Sequence, residues 1–171
     1  MTTTDFTKIL GDTDIKNLLN HRTIIRKYKD LPLYKSAHGL TSKYGNAVIL
    51  FPTKSEDFGH WTCLLKTVLS DGSPTTEFFD PYAIYPDNEH LYSQHMLQYG
   101  NYLANLLAKT PGNISWNQYP VQLMEKGINT CGKHVVNRIR HADWPLEKYM
   151  YFFGTRDGVL GDEIINHVVK L

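Results

Sequence analysis

Cysteine, net charge and long apolar runs are all scarce in this chain of 171 residues. It contains two cysteines, Cys63 and Cys131, and carries a formal net charge of +1. Two cysteines are too few for a disulfide scaffold and are compatible with a reducing compartment. A charge near zero provides no global attraction to nucleic acid or to an anionic membrane. A disulfide framework and charge-driven nucleic-acid binding are therefore disfavoured.

Apolar stretches are too short for a membrane span. The longest covers residues 47–51, whereas a spanning helix needs about 20 apolar residues. The amino terminus lacks the basic region followed by an apolar one that marks a secretory signal. No repeat at a period of about 20 to 50 residues suggests a solenoid. We expect a soluble protein with no membrane partner.

The composition is that of an ordinary globular protein rich in tyrosine. Hydrophobic residues make up 42% of the chain and charged residues 20%, which argues against disorder and coiled coil. This length suits one domain that folds without staples. We expect a monomeric single domain at 1–171, with a core at 45–141, an N-terminal helical and loop segment at 1–44, and C-terminal helices at 145–171.

Apolar and β-branched runs predict three strands in the first half of the chain. Residues 46–51 form one strand, which Pro52 is expected to stop, and residues 60–69 and 75–79 form two more. The turn sequence at 71–74 makes the last two a hairpin.

Helical periodicity and capping residues predict most of the other elements. Residues 31–44 are expected to form a loop, and residues 114–121 a short strand. The predicted helices are a short one capped by Asp12 or Thr13, a long one at 88–109, one that begins at Cys131 and is capped by Asn129 or Thr130, and two more at 145–153 and 160–169. Together these elements predict an α+β fold, with a central, mostly antiparallel sheet flanked by helices.

The two cysteines have different predicted settings. Cys131 stands at a helix N-terminus, where the helix dipole and free N–H groups stabilise a thiolate. Gly132 leaves room there for a substrate backbone to approach. The alternative for Cys131 is a small buried apolar side chain. Cys63 lies within an apolar strand without an adjacent cation, which predicts a core residue.

A thiolate nucleophile needs a base and a group that orients the base. His60 begins one strand of the predicted hairpin and Asp80 ends the other, so the hairpin register places the two side by side. Asp80 could then accept a hydrogen bond from the ring and fix its tautomer. Taken singly, His60 could equally be structural, and Asp80 a turn residue before a proline.

Acyl transfer also needs donors for the oxyanion. The backbone N–H of Cys131 is one candidate. A side-chain amide from Gln122, or alternatively from Gln118, is the other, although either glutamine could simply lie on the surface.

The residue order resembles one family of cysteine proteases. The order His60, Asp80, Gln122, Cys131 differs from papain-like enzymes, in which the nucleophile comes first. It is similar to the adenain-like clan, which includes the adenovirus maturation protease and the proteases of SUMO-like modifiers. Members from small and giant DNA viruses, such as virophages, are the most similar. The matching pieces cover about residues 45–141 and are Gly59-His60-Trp61, Phe79-Asp80-Pro81-Tyr82, Trp116-Asn-Gln-Tyr-Pro-Val-Gln122 and Asn129-Thr-Cys-Gly-Lys-His134.

This resemblance implies a cofactor-free cysteine endopeptidase with an adenain-like fold. It implies capsid precursor polypeptides as substrates, cut at small, often Gly-containing sites, and a location in the virion or, during assembly, in host cytoplasm or a virus factory. The catalytic residues would be Cys131, His60 and Asp80, with Gln122 in the oxyanion hole. Trp61 would wall the substrate channel, because a flat aromatic ring admits only slim residues.

Two departures from the adenovirus enzyme bear on the mechanism and its control. The gap between the glutamine and the cysteine is longer here, which weakens the assignment of Gln122 relative to the triad. The activating peptide of that enzyme needs an extra accessible cysteine, and only Cys63 is available. Activation by DNA is unsupported at a net charge of +1.

Three other functions compete with this prediction. A ubiquitin- or SUMO-like deconjugating protease would carry the same triad. A zinc module could use His60, Cys63, Cys131 and His134, but residues three apart on a strand point to opposite faces and cannot share one metal. The third alternative is a non-catalytic binding protein on the same fold. We expect no bound metal.

Overall fold

The computed structural model describes residues 6–91 and 93–171. Within them, the chain forms an α+β fold built on a five-stranded mixed sheet flanked by helices. The strands follow the chain order across the sheet and are β1 (Ile25–Lys27), β2 (Asn46–Ser55), β3 (Phe58–Val68), β4 (Pro74–Phe79) and β5 (Asn113–Trp116).

The strand pairings divide evenly between antiparallel and parallel. The central pairs β2–β3 and β3–β4 are antiparallel, which confirms the predicted hairpin. The outer pairs β1–β2 and β4–β5 are parallel and shorter, so the sheet is mixed although most of its paired residues are antiparallel. Parallel neighbours need long crossover connections. Helical segments form these connections between β1 and β2 and between β4 and β5. The α+β class is as predicted.

Strand β2 continues through Pro52, contrary to the prediction that this proline ends it. Pro52 is paired with Gly59, and the register then shifts before Ser55 pairs with Phe58. A proline is tolerated at such an irregularity because no ladder hydrogen bond is required of it. A Cβ on Gly59 would lie 1.9 Å from the carbonyl oxygen of Phe51. Glycine is therefore required immediately before His60.

The long helix expected at 88–109 is broken into 3₁₀ turns at Asn88–Leu91 and Gln94–Gln98 and the helix α3 (Tyr102–Ala108). Tyr92 lies outside the described residues. The Asp87 carboxylate accepts hydrogen bonds from the N–H groups of Leu103 and Ala104, so a new helix begins there.

Burial of apolar side chains also makes the expected loop at 31–44 partly helical. It contains the end of a 3₁₀ segment (Tyr28–Leu33) and the helix α2 (Ala37–Leu40).

The remaining helices agree with the prediction. They are α1 (Asp12–Leu18), α4 (Cys131–Arg140), α5 (Leu146–Phe153) and α6 (Gly161–Val168). The N-cap of α1 is Gly11, not Asp12 or Thr13, and Thr130 occupies the N-cap of α4. Strand β5 stops at Trp116, short of the expected 121. At the expected end, the N–H groups of Val121 and Gln122 donate to the carbonyl of Pro81 and not to a strand.

Side chains alternate between two hydrophobic cores, one on each face of the sheet. In β2, Val48 and Leu50 pack in the core beneath α1, α4, α5 and α6. Ile49 and Phe51 pack in the core that includes Tyr28 and α3. Burial on both faces explains the continuous apolar run of this strand.

A buried ion pair fixes the helix α4 to the strand β4. The guanidinium of Arg138 donates through Nε to Oε2 of Glu77 at 2.8 Å and through Nη2 to Oε1 at 3.0 Å. Arg138 also donates to the carbonyls of His141 and Trp144. The helix that begins with Cys131 is thereby held in place from its far end.

None of the helices in the described part of the chain is long and apolar enough to cross a membrane.

Candidate active site

The hairpin β3–β4 brings His60 and Asp80 together as the sequence predicts. Its register pairs Cys63 with Phe79, so Asp80 follows the last paired residue and lies beside the start of β3. The Nε2 atom of His60 is 2.6 Å from Oδ1 of Asp80. Asp80 is fully buried and His60 is 8% exposed. The predicted adjacency of the two residues is confirmed.

Cys131 meets the same histidine from the opposite side of the site. It is the first residue of α4, which packs across β3, and its side chain is partly exposed. The side chains of Cys131 and His60 are adjacent, and Cys131 contributes to the raised pKa of His60. The imidazole therefore lies between the Cys131 side chain and the Asp80 carboxylate.

This environment keeps His60 protonated. Burial lowers its pKa, but the charge and hydrogen bond of Asp80, together with Cys131, more than compensate and raise the pKa to about 10. A cationic imidazole beside a cysteine at a helix N-terminus is an arrangement found in proteins that use cysteine as a nucleophile.

Asp80 is held at its side chain and at its backbone. Its Oδ1 also accepts the backbone N–H of Tyr82 at 2.8 Å. The side chain of Asn117 binds both backbone groups of Asp80. Oδ1 of Asn117 accepts the Asp80 N–H at 3.0 Å, and Nδ2 of Asn117 donates to the Asp80 carbonyl at 2.7 Å. Asn117 belongs to the aromatic-Asn motif of the resemblance, yet sequence reasoning assigned it no role.

Of the two candidate glutamines, Gln122 lies beside this cluster. It is buried, and its Nε2 donates to the hydroxyl of Tyr82 at 3.3 Å and to the carbonyl of Ile128 at 3.1 Å. Gln118 is exposed and lines a separate surface cavity with Val68 and Glu77. The structure therefore leaves Gln122 as the candidate oxyanion donor.

Tyr82 is a site residue whose role sequence reasoning missed. Its ring stacks on the imidazole of His60, with centroids 4.3 Å apart and planes 12° from parallel. Burial and the proximity of Cys131 raise the pKa of its hydroxyl to about 12. Tyr82 thus fixes the plane of the imidazole and keeps a neutral hydroxyl near Gln122.

Asp162 of α6 is a second residue that sequence reasoning missed. Its Oδ1 accepts a hydrogen bond from the Thr130 hydroxyl and lies 3.0 Å from Nε2 of His134, and its Oδ2 accepts the Leu123 N–H at 2.9 Å. It thereby joins the residue before Cys131 to the residue after Gln122. Asp162 lies beyond residues 45–141, so the resemblance offered no signal for it.

The residues predicted to contact substrate, Trp61 and Gly132, lie beneath Leu10. Trp61 is 4% exposed and donates through Nε1 to the Leu10 carbonyl at 2.8 Å. A Cβ on Gly132 would lie 2.9 Å from Cβ of Leu10. The Trp61 ring thus packs in the hydrophobic core, and Gly132 lies against the Leu10 side chain.

The N-terminal segment, residues 6–10, also contacts the loop before the nucleophile. The Asn129 N–H donates to the carbonyl of Phe6 at 2.7 Å, and its Nδ2 donates to the carbonyl of Thr7 at 3.1 Å. Three backbone carbonyls of this segment thus bind residues close to Cys131 and His60.

Cys63 is a core residue, as predicted. Its side chain is fully buried, and burial raises the pKa of the thiol well above its ordinary value. Across the described ranges, no three His, Cys, Asp or Glu side chains are grouped so that they could hold a metal ion.

The fold and site define an α+β protein with a Cys–His–Asp constellation at a helix N-terminus. No protein-family model matches the chain. It is 32% identical to Uncharacterized protein V9 of Sputnik virophage over 167 residues, which is 93% of each protein. The chain belongs to the same family as V9, and it is a virophage-related viral protein.

Among solved structures, the chain is similar to the central domain of the uncharacterized Lpg1148 protein from Legionella pneumophila. The match covers 90% of this chain and 82% of that one at 16% identity, with a TM-score of 0.36. A likeness at this level does not establish a common fold.

Proposed function

We propose that this chain is a cysteine endopeptidase that trims precursor proteins of the virion during particle maturation. One observation carries the proposal: the His60 imidazole lies 2.6 Å from Asp80 through Nε2 and is adjacent to Cys131 at the start of α4. This is the order of contacts that a nucleophile, its base and the orienting acid require.

The chemical steps follow from these contacts. Because His60 is already protonated, Cys131 and His60 react as thiolate and imidazolium, and the thiolate attacks the carbonyl carbon of the peptide bond. The imidazolium then gives its proton to the leaving amine, and a thioester remains on Cys131. The neutral His60 ring takes a proton from water, which hydrolyses the thioester and restores the thiolate–imidazolium pair. Asp80 holds the ring through Nε2 in both halves of the reaction.

The oxyanion is stabilised by the Cys131 backbone N–H and by the amide of Gln122. One Gln122 hydrogen bond, to the Tyr82 hydroxyl, is the longer of its two at 3.3 Å. We assign this N–H to the oxyanion, because it is the weaker bond to exchange. The bond to Ile128 then keeps the amide in place.

The proposed location and the proposed substrate are supported by different observations. The virophage relative supports a viral protein in a virion or an infected host cell. The sequence resemblance to adenain-like proteases supports capsid precursors, small Gly-containing cleavage sites and packaging in the virion.

The test is incubation of the purified chain with virion proteins encoded by the same virus, followed by mapping of new termini by mass spectrometry. We expect cleavage by the wild-type chain and by Cys63→Ala, and none by Cys131→Ala, whose folding is checked by circular dichroism. Cleavage by Cys131→Ala would disprove the assignment of the nucleophile. Labelling of Cys131 by ubiquitin or SUMO vinyl probes, without virion cleavage, would assign the enzyme to deconjugation instead.

A further inference from the structure

A buried carboxyl group that the proposed mechanism does not use lies next to Asp80. Glu89, in the 3₁₀ turn Asn88–Leu91, is 4% exposed. It shares the wall of a cavity of about 220 Å³ with His60 and Tyr82. Its carboxyl group lies within hydrogen-bonding reach of the Asp80 carboxyl.

The oxygens at this contact have few other partners. Oδ2 of Asp80 and both side-chain oxygens of Glu89 are buried, and no other side chain among the described residues donates a hydrogen bond to them. Two ionised carboxylates in contact repel each other, whereas one shared proton turns the contact into a hydrogen bond. If one of the two groups is protonated, a single hydrogen bond pairs two of these three buried oxygens.

The two carboxyl groups differ in their contacts. Oδ1 of Asp80 lies 2.6 Å from Nε2 of His60 and accepts the Tyr82 N–H. Neither side-chain oxygen of Glu89 accepts a hydrogen bond from a donor among the described residues. Burial and the charge of Asp80 raise the pKa of Glu89 to about 9.

We propose that Glu89 is a neutral carboxylic acid that donates a hydrogen bond to Oδ2 of Asp80 and so positions Asp80 for His60. Glu89 touches neither substrate nor nucleophile in this scheme. It is a positioning residue that acts through Asp80, by fixing the rotation of the carboxylate so that Oδ1 faces the imidazole. The inference rests on the function proposed for Cys131, His60 and Asp80.

The test compares Glu89→Gln, which keeps a neutral donor, with Glu89→Leu, which removes it. Glu147→Gln is the matched control, because this glutamate is exposed and bonds to Ser70. We expect Glu89→Gln to keep kcat/KM within about twofold and Glu89→Leu to lower it about tenfold or more. We also expect the NMR titration of the His60 ring to be unchanged in Glu89→Gln. Infrared difference spectra should show a protonated carboxyl that Glu89→Gln removes.

The outcomes separate this inference from the proposed function. A lower His60 pKa in Glu89→Gln, or no protonated carboxyl band, would show that Glu89 is ionised and would overturn the inference. Both readouts need no substrate, so they remain decisive if the wild-type chain cleaves nothing and the protease proposal fails. They also remain available if Glu89→Leu does not fold.

Discussion

Two buried histidine–aspartate pairs lie on either side of Cys131 and behave in opposite ways. His60 and Asp80 are 2.6 Å apart, and His134 and Asp162 are 3.0 Å apart. The first arrangement raises the pKa of its histidine to about 10. In the second, burial lowers the pKa of the histidine despite its aspartate. The same pair of residue types thus gives one charged ring and one neutral ring.

The partners of each ring and each carboxylate explain this difference. His60 has a second partner, Cys131, and a small exposed fraction. His134 is fully buried, and its Nδ1 has no partner among the described residues. Asp162 also divides its hydrogen bonds between His134, Thr130 and the backbone of Leu123. A His–Asp pair is therefore a candidate for catalysis when the other ring nitrogen faces a reactive group, and a structural link when it does not.

Substitution of the two histidines, one at a time, should give the largest difference between the two pairs. We expect His60→Gln to lower kcat/KM by about 10⁴-fold, because the thiol loses its base. His134→Gln should lower it less than about tenfold, since it only loosens the link to α6. Cleavage of a virion precursor measures both, with thermal unfolding as the control for folding. Equal losses in the two variants would show that the pairs do not differ in role.

Neutralisation of each aspartate should produce a smaller contrast. Asp80→Asn should lower kcat/KM by about 10³-fold with a folded chain, because an amide cannot hold the imidazolium. Asp162→Asn should instead destabilise the fold by about 1 to 3 kcal/mol, because the hydrogen bonds of Thr130 and His134 weaken. Urea unfolding and kcat/KM of the folded fraction separate the two effects. A larger activity loss in Asp162→Asn would reverse the roles assigned here.

The pH dependence of stability should have opposite signs for the two histidines. The folded-state pKa of His60 lies above the ordinary value of 6.5, so its contribution is complete below about pH 6.5 and is lost as the pH rises through about 10. The folded-state pKa of His134 lies below 6.5, so its contribution is present above 6.5 and is lost as the pH falls. Urea unfolding across this range should show a flatter alkaline side for His60→Gln and a flatter acid side for His134→Gln. Parallel curves would contradict both signs.

The sequence predicted the first pair because its geometry is local. His60 and Asp80 belong to one hairpin, whose turn fixes the register, and Cys131 follows from a helix start. Asp162 reaches Thr130 from 32 residues away, and only the packing of α6 brings the two together. Periodicity alone made one helix of residues 88–109, since it cannot detect that the Asp87 carboxylate starts a new helix at α3. The same error prevented a prediction for Glu89, because it placed this residue in a long helix and not in the 3₁₀ turn Asn88–Leu91.

Contacts from both ends of the described chain also hold the loop before Cys131 in place. The N-terminal segment meets the loop before Cys131 across 122 residues of sequence, and Asp162 meets it from the C-terminal side. At about 5 to 20 residues per second, synthesis from Cys131 to Asp162 takes roughly 2 to 6 seconds. During that interval the thiol has been made, but the contacts of Asp162 with the loop that carries it have not yet formed.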